Sequence, residues 1–489
     1  MTAPRRHLIL LLEIAGVVMF VGLLAYALTR PPPVAGPAGT IDWAEMERSD
    51  TRWSGIYLGE DKIGFSSSRV EPLEVGFRTI DRSFLRLGSM GATREIHTYA
   101  TAELDDQLRA RSFAFEMQTG DTVFRARGDG TTVHYSIGDG LEETMVVPEL
   151  PLLSGFHPRL LAGAEPGSVV ELPYLDPATM TRDAVTYLVG RREPVPGLEG
   201  IDARRIDYDL KGASVTLWID EEGQSIREEG LLGMVVLREP RERALSRGWP
   251  AGEPVDVVQL SAVPVDRPID GARTSRVLVV RLHGPDSLAP LLEAAHGERY
   301  DGQQLGIHVP AAADLQSYVL PATDEGFAPF LAAEPLIEVE DPAIQEAVNG
   351  VLADELDAET AARRLVDWTF NALEKVPEIA PPSARNVLEQ RRGDCNEHTA
   401  LYTAMARAAG LPTRVAAGLV YTDALFSKGS FYYHAWPEVW LGTWVPVDPT
   451  FGQFPADATH IKLVEGGLDR QTELIGVIGA LSAEIVEVR

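Results

Sequence analysis

The hydrophobic period changes once along this 489-residue chain, and that change limits what it can fold into. From about residue 50 to 240, apolar residues alternate in short runs broken by turn signals. Ile56-Tyr57-Leu58 and Lys62-Ile63-Gly64-Phe65 flank Gly59-Glu60-Asp61, and similar runs recur at 77–85, 94–102, 109–117, 122–126 and 132–136. With turns at Gly128-Asp129-Gly130 and Asp220–Gly223, this pattern predicts an antiparallel meander or open barrel. From about 341 the period becomes helical. Asp341-Pro342 opens a helix through Leu352, and Glu359–Lys375 carries an apolar face of Ala361, Leu365, Trp368, Phe370 and Leu373. Ser383 caps a short helix through Gln390. A further helix follows from Cys395, then a strand over Thr413–Tyr421 and a hairpin from Phe431 to about Asp448. Helices leading into an antiparallel sheet predict an α+β class.

The remaining segments complete the expected organisation. Residues 8–28 are apolar except for Glu13 and long enough to cross a bilayer about 30 Å thick. Arg5 and Arg6 precede them, so the positive-inside rule predicts a cytoplasmic tail at 1–7 and a single-pass transmembrane helix in the inner membrane. Everything beyond would then lie on the periplasmic or extracytoplasmic side, held off the membrane by a Pro/Gly linker over 29–45. Residues 46–245 form the expected β-rich antiparallel domain. Residues 246–335 are a mixed connecting region, with a strand at Val277–Leu282 and a short helix at Ser287–Ala295, and residues 336–489 are a C-terminal domain.

Charge narrows the partners. Forty-four basic residues stand against 72 acidic ones, a net −28, which argues against nucleic acid or anionic lipid. A single cysteine excludes an intramolecular disulfide and a thiolate-rich zinc site.

That cysteine, Cys395, lies in GDCNEHTAL, directly after Asp394, a good N-cap residue. Backbone N–H groups in the first turn favour an anion there, one setting that lowers a thiol pKa. A nucleophilic thiol also needs a base and a group to orient that base. His434 and Asp448 are the candidates. In an antiparallel hairpin, the numbers of facing residues have a constant sum, and pairing His434 with Asp448 centres the turn on Leu441, beside Gly442. His434 and Asp448 would then face each other with Cβ atoms roughly 5 Å apart. His398 lies three residues past Cys395, so Cys395, His398, His434 and Asp448 also form an imaginable zinc set. The triad accounts for three of those four, and no metal or cofactor is expected. Asp457 and His460 are read as structural, and Trp436, Trp440 and Trp444 as core or cleft wall.

The run RRGDCNEHTALYTAMARAAGLPTRVAAGLVY, followed by FYYHAWPEVWLGTWVPVDPT, resembles the core of the transglutaminase-like superfamily, here as a bacterial membrane-anchored member. Four elements carry the resemblance over 383–455: a Gly-x-Cys helix start, a Gly-Leu-Pro-x-Arg turn, a His-Ala-Trp strand and a Trp-x-x-x-Asp-Pro strand. Pro437 departs from it, standing where most members carry an aliphatic residue. The resemblance implies a papain-like fold with Cys395 as nucleophile, His434 as base and Asp448 as orienting acid. It further implies a thioester formed from a peptide or glutamine-type amide and resolved by water or an amine. The partners expected are a protein or peptide substrate, the membrane through the N-terminal helix, and an envelope protein for residues 46–335. The competing expectation is a non-catalytic envelope scaffold that binds through the β-rich domain.

Overall fold

A computed structural model describes residues 51–489, apart from 90–91, 106–108, 121, 139–141, 147–156, 177–180, 211, 247–253, 335, 378–381 and 426–428. The chain divides after Asp256 into two compact units.

In the first unit, one antiparallel sheet of fourteen strands takes up the alternating pattern. Each strand from Arg52–Leu58 to Glu143–Val146 pairs with the next in the chain, and so does each from Val169–Asp176 to Met234–Glu239. The first and last strands pair with each other, Trp53 opposite Glu239 through Leu58 opposite Met234, which joins two meanders into one sheet. Strand Phe77–Ser89 illustrates the cause. Thr79, Asp81, Ser83, Leu85 and Leu87 are buried, and Arg78, Arg82 and Arg86 alternate with them on the wetter face.

Two expectations are corrected here. The described residues are strand-rich and dominated by this sheet, not balanced between helix and sheet as an α+β chain would be. The reason is continuity: about 200 residues of period two form a single ladder, and the helical stretch is too short to balance it. The predicted transmembrane helix and the inner-membrane location are not borne out by the described residues. No described helix is long and apolar enough to cross a membrane, and residues 8–28 lie outside the described residues.

The second unit holds the helical pattern. Helices α1 (Pro342–Leu352), α2 (Ala358–Ala372) and α3 (Ala384–Gln390) pack around α4 (Cys395–Ala408). Asp341, Asp357 and Ser383 cap the first three, each side chain accepting from backbone N–H groups of the first turn. Leu365, Leu401, Met405 and Val445 sit in one shared core. Helix α4 is buried along nearly its whole length, polar residues included. Such a helix must satisfy its polar groups internally, so its first turn carries most of the information about the site.

Strands β1 (Thr413–Thr422), β2 (Ser430–Trp440), β3 (Trp444–Pro446) and β4 (Ile461–Glu465) form the sheet behind α4. The far edge of β2 is covered at one end by Val263–Pro264 and at the other by β3. Between them, among the described residues, β2 has no strand neighbour on that side, and α4 takes the place of one. A separate three-stranded sheet sets Val277–His283 between Leu305–His308 and Ser482–Val488.

Candidate functional site

Local chemistry places Cys395 first. Asp394 caps α4 by accepting from the Asn396 N–H at 3.1 Å, while the Glu397 carboxylate takes the Asp394 N–H at 2.8 Å. Gly393 is required before them: its φ is +151°, and a Cβ there would lie 2.2 Å from Glu397 Cβ. The helix is then fastened to β2 at Ala435, in the uncovered stretch of the edge. Thr399 Oγ1 donates to the Ala435 carbonyl at 3.1 Å, and the Ala435 N–H donates to the Cys395 sulfur. Cys395 therefore lies against the residue that follows His434.

His434 and Asp448 meet as expected, by a different route. His434 Nε2 lies 2.8 Å from Asp448 Oδ2, and both side chains are fully buried. However, the hairpin turns at Gly442, with Trp440 opposite Trp444 and Glu438 opposite Pro446. In that register Asp448 is diagonal to His434, on the same face of the hairpin. It has also left the strand: its N–H and carbonyl pair with Gln453 in a tight turn. The carboxylate spans the diagonal because the turn, not a ladder, sets its direction. Pro437 fits the same edge. Its carbonyl accepts from Val447 N, so its missing N–H falls on the β3 side and leaves the β1 ladder intact.

Hydrogen bonding assigns the histidine tautomer. An ionised carboxylate can only accept, so His434 Nε2 carries the proton and Nδ1 holds the basic lone pair. Nδ1 is buried and has no hydrogen-bond partner. Asp448 Oδ1 accepts from Thr450 N at 2.7 Å and Phe451 N at 3.0 Å. Oδ2 accepts from a second imidazole, His460 Nε2, at 2.9 Å. Burial alone would raise the Asp448 carboxyl; the two histidines outweigh it and hold it well below the usual carboxylate range.

The thiol differs from the expectation of a depressed pKa. Burial, and then the charges of Asp394, Glu397 and Asp448, push Cys395 up; the Ala435 N–H only partly opposes them. Burial pushes His434 down, with Asp448 opposing. Both shifts favour the neutral thiol–imidazole pair over the ion pair, because a helix terminus cannot offset full burial beside three carboxylates. A thiol and an imidazole both held neutral are a chemically suitable donor and acceptor for a proton.

His398 does not join the triad. Its Nδ1 donates to the Asp394 carbonyl at 2.7 Å, and burial holds the ring neutral, with a pKa near 4. Among the described residues, the imagined zinc set of Cys395, His398, His434 and Asp448 does not bring its donor atoms together. Another set, His434, Asp448 and His460, presents donor atoms within 4.8 Å of one another. Ligands about 2.0–2.1 Å from a tetrahedral zinc stand roughly 3.3 Å apart. The 2.8 and 2.9 Å separations here are those of proton-filled hydrogen bonds.

Asp457 and His460, structural by their sequence context, both reach the site. His460 Nδ1 donates to the Asp457 carbonyl at 3.1 Å, and Arg273 lies 3.1 Å from Asp457 Oδ2 as an ion pair. The i,i+3 spacing of acid and base in Asp457-Ala-Thr-His460 is a weak local signal. Arg273 has none, lying 175 positions before Asp448 in sequence.

Known proteins bear on part of this chain. No curated protein matches it. Among solved structures, it is similar to a candidate cysteine protease from Cytophaga hutchinsonii, at 13% identity and TM-score 0.26, covering 47% of this chain and 82% of that one. A β-barrel-like domain of unknown function from Brucella abortus matches at 14% identity and TM-score 0.30, covering 39% and 95%. A candidate protease from Parabacteroides distasonis matches at 12% identity and TM-score 0.19, covering 81% and 69%. Likenesses at such scores fix neither fold nor activity. Residues 345–449 match the model of the transglutaminase-like superfamily, a span that contains Cys395, His434 and Asp448 and stops short of His460. The helices around Cys395 and the strands carrying His434, through to Asp448, thus make up a transglutaminase-like domain within this chain.

Proposed function

We propose that the protein is a cysteine acyl-transfer enzyme acting on an amide of a peptide or protein. The observation that carries this reading is the state of His434. One ring nitrogen is locked on Asp448, and the other is a free buried base on the residue beside the one that touches the Cys395 sulfur.

The steps follow from those positions. Cys395 Sγ attacks the amide carbonyl carbon while its proton passes to His434 Nδ1. The tetrahedral oxyanion sits at the start of α4, where the Cys395 N–H and the helix terminus stabilise negative charge. Collapse breaks the C–N bond, and His434 returns the proton to the leaving amine. The resulting thioester is resolved by water or an amine, whose proton His434 accepts as the C–O or C–N bond forms; the departing thiolate regains that proton. Throughout, Asp448 holds the imidazole in the required tautomer and balances its transient charge. Hydrolysis or deamidation is the favoured outcome, with cross-linking as the alternative fate of the same thioester.

The single cysteine makes the test direct. Iodoacetamide labelling at neutral pH reports only Cys395, and His434→Ala should slow it by at least about tenfold. Incubation with glutamine-containing peptides and hydroxylamine should then give hydroxamate products in the wild type and none in Cys395→Ala. Equal labelling of His434→Ala and wild type, with no hydroxamate, would sink the proposal.

A further inference from the structure

We propose that His460 is a positioning residue of this site, clamping from behind the Asp448 carboxylate that orients His434. The inference rests on the triad reading above and adds a member that the reading does not require.

Asp448 is the pivot. A carboxylate offers about four lone-pair positions, and four donors reach Asp448. Thr450 N and Phe451 N meet Oδ1, while His434 Nε2 and His460 Nε2 share Oδ2. The carboxylate cannot rotate without breaking bonds on both oxygens. His460 is fixed in turn. Its Nε2 faces the Asp448 carboxylate, and its Nδ1 faces the Asp457 carbonyl at 3.1 Å and Asp457 Oδ1 at 3.5 Å. Every one of these partners can only accept, so both ring nitrogens carry protons and His460 is an imidazolium.

Asp457 is anchored as firmly. Its Oδ1 accepts from Thr459 N at 2.8 Å and Thr459 Oγ1 at 2.6 Å, and its Oδ2 faces Arg273. Arg273 bonds the Tyr421 carbonyl and Thr459 Oγ1. Charges therefore alternate from Arg273 through Asp457, His460 and Asp448, and the row ends on neutral His434. The titratable and charged groups facing His460 are Asp448, Asp457 and His434, with Arg273 behind Asp457; Trp436 and Phe451 are its aromatic neighbours.

The row does two things for His434. It fixes the acceptor that selects the tautomer with a basic Nδ1. It also commits part of the Asp448 charge to His460, so that His434 is not drawn into a permanent imidazolium and stays available as a base. The balance of fields agrees. Burial pulls His460 down, but the charge of Asp457 and the bonds to Asp448 and Asp457 raise it to about 9. His434 stays below its ordinary value through burial, opposed by Asp448 and reinforced by His460 and Arg273.

The test follows iodoacetamide labelling of the full chain as a function of pH, beside thermal melts. Reactivity should fall in acid as His434 takes up a second proton, at a pH below the ordinary 6.5 of histidine. His460→Gln keeps an N–H for Asp448 but drops the charge, so this acid limb should move to higher pH. His460→Ala drops both and should slow labelling by roughly 10–100-fold, the scale seen when a group orienting a functional ligand is removed. If the alanine variant fails to fold, the limb of His460→Gln decides alone: an upward move supports the proposal and a wild-type limb overturns it. A His460 variant that melts earlier but keeps the wild-type limb and rate would overturn the proposal, leaving His460 as a structural ion pair. Slow labelling of His434→Ala and Asp448→Asn in that same series would show the triad standing without it. Wild-type labelling in His434→Ala would remove the triad and this inference together.

Discussion

Charge is handled in opposite ways on the wetter face of the large sheet and at the buried site of the second unit. On the fourteen-stranded sheet, Arg78 meets Glu103 at 2.6 Å across adjacent strands, with 40% and 32% of the side chains exposed. Arg125–Glu116 and Arg127–Glu142 are similar, and water screens all of them. In the second unit, Asp448, His434, His460 and Asp457 form contacts of comparable length with almost no exposure. Removal from water makes each of those contacts obligatory, because an unpaired buried charge costs several kcal/mol. The sheet can lose a pair and remain a sheet. The site cannot lose one without changing the charge or tautomer of its neighbours.

The sharpest way to break that contrast is Asp448→Asn, which keeps the shape and removes the acceptor of two imidazoles. We expect acyl-transfer or labelling rates to fall by about 10⁴-fold, the scale for a triad acid made neutral. We also expect stability to drop by roughly 3–5 kcal/mol in denaturant titration, because the buried His460 cation keeps Asp457 but loses the Asp448 charge. An Asp448→Asn protein as reactive and as stable as the wild type would make the buried network no different from a surface pair.

A smaller effect is expected with pH. The folded pKa of His460, about 9, lies above its ordinary 6.5. Its contribution to stability is fully present below 6.5 and lost as pH rises towards 9, at most about 3 kcal/mol. Melting temperature should decline over that window, and His460→Gln should flatten the decline. On the acid side, Asp448 and Asp457 are both held below their ordinary 3.8. Their contribution is present above that value and lost as pH falls beneath it.

Least of all should follow from Arg78→Ala on the sheet. We expect a change of at most about 1 kcal/mol that disappears in high salt. A loss as large as that of Asp448→Asn would erase the distinction between the units.

Local chemistry is readable where neighbours in sequence supply the contacts. The caps at Asp341, Ser383 and Asp394 bond N–H groups within three residues, so local sequence reveals them. Strands such as Phe77–Ser89 follow alternation for the same reason. The hairpin is half readable. Gly442 marks the turn, but only the ladder shows that Trp440 faces Trp444 and that Asp448 has already left the strand. The α+β expectation fails because a local pattern does not say how far one sheet continues, and here the strands at Arg52–Leu58 and Met234–Glu239 join across more than 170 residues.

By itself the sequence singled out Cys395, His434 and Asp448 as the candidate site, because each stands in a local pattern that admits few roles. Tertiary structure alone decided their electrical state. Burial turned the thiol and His434 towards their neutral forms, and the approach of Asp457 and Arg273 made His460 a cation beside Asp448. The physical reason is dielectric: charge state depends on how much water surrounds a group and on which charges replace it, and both are fixed by residues far apart in the chain.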